Sequence, residues 1–293
     1  MIRAFVWIAV AYLVAGAVAL AVAMPLRGEH PILVAAAADL GATVAIFGFS
    51  LAFRNSSFYD AYWSVAPIPI VFYWWLSAPD SGADPVRRAL VLTLVSLWGI
   101  RLTYNWARGW RGLGHQDWRY TDLQKQTGRA YWPVSFLGIH LFPTVMVFLG
   151  CLPLFPALAE PVRPFGVLDL VAAGITGFAI WLEATADQQL RRFTTASHPP
   201  GEFLRSGLWA WCRHPNYLGE ILFWWGLLAF SLAAGVTSWW TAIGAIAITV
   251  MFRVVSLPMI ERRMIERRPA YAEHAKRTST LLPRRPRCLP AAD

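Results

Sequence analysis

Apolar runs of membrane length recur from one end of this chain to the other, and they leave few folds open. Residues 4–24 are apolar after Met1-Ile2-Arg3, and further runs occupy about 33–53, 61–77, 88–108, 134–154, 166–190, 216–234 and 238–258. A helix rises about 1.5 Å per residue, so about twenty residues cover the ~30 Å hydrocarbon core of a bilayer. Within that core the backbone must satisfy its own hydrogen bonds, and a helix does so segment by segment. The pattern predicts an all-α polytopic membrane bundle of about eight transmembrane helices. The count falls to seven if the run 61–77, with Pro67 and Pro69, is kinked or re-entrant. Small residues near Ala21-Val-Ala-Met would suit a signal-peptide cleavage site. The length of the first run instead favours a transmembrane helix.

Composition agrees: 57% of the 293 residues are hydrophobic, 15% are charged, and mean hydropathy is +0.44. The net charge of +9 does not point to nucleic acid, because the basic residues are spread over loops between apolar runs. They sort by side instead. With a cytoplasmic N-terminus, the outer loops hold only Arg27, Arg87, Arg88 and Arg163, while Arg101 and Arg253 fall inside runs. The other basic residues then face the cytoplasm, as the positive-inside bias requires, with both termini cytoplasmic. No internal repeat or soluble domain interrupts the chain, so 1–293 reads as one transmembrane domain, with residues 284–293 a disordered Pro/Arg tail. Cys151, Cys212 and Cys288 form neither a metal pattern nor a disulfide framework.

Three runs carry polar residues in their cytoplasmic halves. Arg101, Tyr104, Asn105 and Arg108 fall at i, i+3, i+4 and i+7, one helical face. Glu183, Asp187 and Arg191 fall at i, i+4 and i+8. In the third, Pro215 suits the first turn of a helix, where its missing N–H costs nothing, and Asn216, Tyr217 and Glu220 follow. Arg108 and Arg191, near the run ends, could snorkel to headgroups. Arg101, Asp187, Asn216 and Glu220 together predict a cavity open to the cytoplasm, because intramembrane ionisable groups are expensive unless they have partners or a ligand. No dinucleotide fingerprint, Walker loop or zinc-protease motif competes. His140 reads as a packed, hydrogen-bonded histidine.

The stretch Gly207-Leu-Trp through Arg213-His-Pro-Asn-Tyr-Leu-Gly-Glu220 resembles the C-terminal signature of membrane steroid 5-alpha-reductases and their bacterial relatives. Leu257-Pro-Met-Ile-Glu261, Arg268-Pro-Ala-Tyr271 and Thr280-Leu-Leu-Pro283 resemble that family's closing segment, so the likeness covers about 88–283. It implies NADPH-dependent reduction of a carbon–carbon double bond conjugated to a ketone in a lipophilic substrate. Carried over, Asn216 and Glu220 would hold the nicotinamide amide and Tyr217 would pack on the cofactor. Arg101, Asp187 and Arg191 would line its cavity. Arg205, Arg213 and Tyr271 would lie near its phosphates or adenosine half, with Glu261 nearby. An acid and a tyrosine should polarise the ketone; Trp98 stands where the tyrosine is expected, leaving Asp60, Tyr104 and Tyr62, with Tyr59, as candidates by type. The resemblance places the protein in a bacterial inner membrane, among membrane lipids, with no obligate protein partner or metal. The Arg-His-Pro core also occurs in S-adenosylmethionine-dependent membrane methyltransferases for isoprenylcysteine or phospholipid, which is the alternative reading.

Overall fold

In the computed structural model, which describes residues 1–78 and 82–285, the chain is helical throughout, and no strand occurs among the described residues. Helix α1 (Ile2–Ala23) and α2 (Pro31–Phe53) form an antiparallel pair, and Arg54, at φ 51°, ends α2 in the left-handed region. The run 61–77 splits at Ala66 into α3 (Tyr62–Val65) and α4 (Pro67–Ser77). At 1.5 Å per residue α4 is about 17 Å long, too short to cross a bilayer alone. Then come α5 (Pro85–Ala107), α6 (Trp118–Thr127), α7 (Tyr131–Ser135), α8 (Phe142–Cys151) and α9 (Leu154–Ala159). The last third holds α10 (Val167–Thr195), α11 (Pro215–Ala233), α12 (Ile243–Met251), α13 (Leu257–Arg267) and α14 (Tyr271–Arg277). Short π-helical segments precede α8 (Phe136–Leu141) and α13 (Phe252–Ser256).

Among the described residues, five helical stretches are long and apolar enough to cross a membrane: Ile2–Ala23, Pro31–Phe53, Trp118–Ala159, Val167–Thr195 and Trp239–Arg267. Neither α5 nor α11 is among them. Helix α11 is largely buried in the bundle, whereas α5 buries one face and leaves Leu97, Ile100 and Tyr104 exposed; in both, polar side chains replace some of the apolar ones. Residues 286–293, most of the tail expected to be disordered, and Cys288 lie outside the described residues.

Packing centres on α11, which meets α10 along a seam of small residues. A Cβ added at Gly219 would lie 2.7 Å from the Cβ of Glu183, and one at Gly226 would strike Thr176. Membrane helices approach this closely only over such residues. Beside that seam α11 presents Phe223 and Trp224, and Phe223 stacks on Trp98 of α5 at 4.4 Å. Where α5 and α10 begin, buried Arg87 makes a two-pronged pair with Asp169 (2.6 and 2.9 Å) and donates to the carbonyls of Arg163 and Pro164. That pair fixes α5 against α10, and their polar stripes meet several turns further on. His140 is indeed packed and bonded, to Ser50 Oγ (2.9 Å) and the Ser135 carbonyl (3.0 Å).

Candidate functional site

Arg101 of α5 is where the three stripes converge. Its guanidinium lies 2.6 Å from Glu183 Oε2 and 3.0 Å from Asp187 Oδ2. Asp187 Oδ2 also accepts from Asn105 Nδ2 at 3.2 Å, and Asn105 Oδ1 in turn accepts from Arg108. Arg108 therefore does not snorkel; it completes a chain of polar contacts along one face of α5 and reaches Gln188. Arg191 lies at the edge of this chain and donates to the Arg108 carbonyl at 3.3 Å. Tyr104, on the same predicted stripe, points away and is 63% exposed.

Glu220 of α11 is buried beside these groups. Its Oε2 accepts from the Trp98 indole and its Oε1 from the Trp224 indole, both at 2.9 Å. Trp98, the residue standing where the resemblance expects a tyrosine, is thus a clamp on the carboxylate. Gly219 makes the meeting possible, because only a residue without a side chain lets α11 reach Glu183. Three carboxylates, Glu183, Asp187 and Glu220, then surround one guanidinium. Such an excess in a dry site suits a ligand or group that carries positive charge.

These residues form one wall of a cavity of about 730 Å³, within the size range of small-molecule and cofactor sites. Glu183, Asp187, Asn216, Tyr217 and Glu220 line one side, and Trp63, Ile139, Met146, Met251 and Phe252 give an apolar interior. Asn216 carries the distinctive polar atom: its Oδ1 is buried and has no hydrogen-bond partner. An orphan acceptor costs about 1–3 kcal/mol, and a ligand N–H would satisfy it. Asn216 and its neighbours therefore fit a carboxamide.

Across the cavity Tyr120 of α6 donates to Asp60 Oδ1 at 2.7 Å, and both line the wall with Tyr59. Burial pushes the Asp60 carboxyl up to about 6, against hydrogen bonds from Tyr120 and Ser57 that lower it. The connector 54–61 holds Asp60 here because Asn55 Nδ2 donates to the carbonyls of Leu113 and His115, and Gln116 Oε1 accepts from Ser56 N. Asp117 caps α6 and grips Arg119 at 2.8 Å, and Arg119 also faces the cavity. Burial works against the Asp117 carboxyl, but the side-chain and backbone hydrogen bonds of Arg119 outweigh it and hold that group below its ordinary value. A shallower pocket of about 660 Å³ adjoins Asp117 and is lined by Arg54, His115, Lys125 and the paired Asp122 and Arg263.

Several expected residues stand elsewhere. Tyr62 is buried behind the wall and donates to Asp39 Oδ1 at 2.8 Å, so neither it nor Tyr104 reaches the cavity. Tyr120 supplies the hydroxyl instead; it sits in a short polar helix whose sequence signals are the Asp117 cap and the Gly128 stop, neither of which points to a site. Arg213 is not available for phosphates. Its guanidinium bonds Glu261 Oε1 (2.7 Å), Thr280 Oγ1 (2.8 Å) and the carbonyls of Ala275 and Thr278, which uses every nitrogen. Glu261 also contacts His214 Nε2 at 3.0 Å, and Tyr271 packs its edge on Phe203. These groups staple the C-terminal segment to the start of α11. Arg205 is exposed on the connector after α10. Cys212 is buried, and burial pushes its thiol up to about 11.

Comparison with known proteins adds a family and one relative. An uncharacterized protein, C594.04c, from Schizosaccharomyces pombe is 27% identical over 264 residues, which covers 82% of this chain and 76% of that protein. No solved structure matches. Residues 46–278 match the family model DUF1295, described as a protein of unknown function, and that span takes in the connector, the three stripes and the staple as far as Thr278. The chain belongs to the DUF1295 family.

Proposed function

We propose that this protein is a membrane-embedded, NADPH-dependent reductase of the steroid 5-alpha-reductase type. It would reduce the carbon–carbon double bond of a lipophilic enone, with its site open to the cytoplasm. The observation that carries this reading is the unpartnered Asn216 Oδ1, an acceptor set in the cavity wall beside the Arg101 cluster. A nicotinamide carboxamide offers the N–H groups that such an acceptor lacks. NADPH, when bound, supplies a hydride, and its ring gains positive charge as it does so. Glu183, Asp187 and Glu220 provide a field that favours this charge.

Asp60 and Tyr120 supply the electrophilic end. Hydride addition at the β-carbon sends electrons to the carbonyl oxygen, and a proton must then reach the α-carbon or that oxygen. With Asp60 protonated, its O–H can donate to Tyr120 and free the tyrosine hydroxyl to donate to the ketone. The sign follows: activity should be high below the Asp60 value of about 6 and fall as pH rises through it. Asp60→Asn should flatten this profile. The net reaction consumes one NADPH and one proton per double bond.

The carboxylate excess would equally suit a sulfonium, as in the methyltransferase alternative. Methyl transfer has no need of an acid–tyrosine pair facing a cavity, so the Asp60–Tyr120 contact favours the reductase. Thermal-shift titrations of purified protein separate the two. Stabilisation by NADPH and not by S-adenosylmethionine is expected; the reverse would sink the proposal.

A further inference from the structure

An apolar, exposed flank gives the cavity a candidate second mouth. Four lining residues are exposed there: Gly138 and Phe142 on one side, Val255 and Met259 on the other. Phe142 is 42% exposed and Val255 54%. Both sides belong to stretches long and apolar enough to cross a membrane, Trp118–Ala159 and Trp239–Arg267. Around the rim Leu137, Val145 and Val254 are exposed, and the one charged neighbour, Arg253, is exposed beside Val254, where its long side chain can snorkel towards the polar end.

The opening has a structural cause. Helices α8 and α12 are pressed together at one end, where a Cβ on Gly244 would strike the Leu149 carbonyl and one on Gly150 would crowd Ile248 at 3.0 Å. Towards the polar end each wall turns π-helical, at Phe136–Leu141 and Phe252–Ser256. Such wide turns recur at functional sites because they redirect side chains without ending the helix. Gly138 lies in the first of them, and a Cβ there would meet nothing within 4 Å. The walls are therefore closed at the Gly150–Gly244 end and open between the two π segments.

We infer that this mouth opens into the hydrocarbon of the bilayer and admits the substrate sideways, as a membrane-dissolved molecule with a rigid or long apolar body and one polar carbonyl end. Tyr120 and Asp60 lie on the same cavity, where that carbonyl end can reach them; the apolar body follows through the Gly138–Val255 gap. Water-soluble ligands would approach from the polar side of the cavity, which Asp117 and Arg119 line. The carbonyl rests on the proposed reductase reading, while the sideways route does not.

Photolabelling tests the route without relying on turnover. The full-length protein is reconstituted in phosphatidylcholine vesicles containing a long-chain alkyl ketone with a diazirine in its tail, irradiated, and its labelled peptides are read by mass spectrometry. Label is expected on Met146 and Met251 inside the cavity as well as on the outer face at Val254. Gly138→Trp fills the gap and should cut the cavity label at least tenfold while leaving the Val254 label unchanged. Val255→Trp, from the opposite rim, should do the same, so a folding defect in one variant leaves the test standing. Cavity label that persists in both folded variants, or is absent from the unmodified protein, overturns the lateral route. Absence of NADPH binding alongside an intact labelling pattern would overturn the reductase reading and leave the route in place.

Discussion

The signature Arg213–Glu220 divides into two halves that share a sequence and differ in what they leave unsatisfied. In the first half, Arg213 and His214 face the C-terminal segment, and each side-chain nitrogen of Arg213 ends on an oxygen of the chain itself. The backbone joins in: Arg213 N donates to Ser279 O and His214 N to Thr280 O. In the second half, Asn216 faces a cavity with its Oδ1 unpartnered, in a site holding three carboxylates and one central guanidinium. Closed hydrogen-bond accounts mark a structural joint, and open ones mark a place prepared for another molecule. A motif read as a single site is therefore a joint followed by a site.

The largest effect should come from breaking the joint. Arg213→Ala leaves two carbonyls without their donor and Glu261 with His214 alone, and loss of one partner from a largely buried pair costs up to about 3–5 kcal/mol. Thermal denaturation in detergent should show a much lower midpoint, and NADPH should restore little of it. A midpoint within a degree of the unmodified protein would remove the distinction. Gly219→Ala comes next, because its Cβ would sit 2.7 Å from Glu183 Cβ and force α10 and α11 apart. Overpacking of this kind costs about 1–3 kcal/mol. Here stability and cofactor affinity should fall together, since the seam both packs the bundle and assembles the carboxylates.

Asn216→Ala should separate the halves cleanly. Its Oδ1 has no partner within the protein and its amide meets only Asp187, so the melting midpoint should fall far less than in Arg213→Ala. Affinity for NADPH, measured by fluorescence titration, should drop about tenfold, equivalent to about 1.4 kcal/mol for one hydrogen bond to a ligand. An unchanged affinity with a lowered midpoint would make Asn216 part of the joint.

Much of this was legible in the residues. Pro215 announced the start of α11, and spacing alone placed Arg101, Asn105 and Arg108 on one face and Glu183 with Asp187 on another. Burial depth followed from the cost of charge in hydrocarbon. What spacing could not give was rotation about each helix axis, and so Tyr104 was grouped with a stripe it does not join. Nor could it reveal Tyr120. The contact with Asp60 spans 60 residues and exists only because Asn55 and Ser56 dock on the 113–116 loop. Arginine chemistry misled for a related reason: a guanidinium suits phosphate and backbone carbonyl alike, and only the tertiary fold decides which one it meets. Helix counting by hydropathy has the same blind spot, since α5 and α11 carry the polar groups that make them central.

The smallest effect should again lie in the joint, and it has a sign. His274 of α14 sits beside Tyr271 and Phe203, and burial, then the nearby Arg213 and Arg205 charges, hold its imidazole below the ordinary value of 6.5. A group whose folded value is lowered contributes stability that is complete above its unfolded value and is lost as pH falls. The docked C-terminal segment should therefore loosen as pH drops below about 6.5, where the unfolded histidine already binds a proton and the folded one does not. Hydrogen exchange of residues 271–285 between pH 7.5 and 5.5 reads this directly. Exchange should quicken at the lower pH, once corrected for the intrinsic rate, and His274→Gln should abolish the difference. An equal response in the variant would assign the loosening to another group.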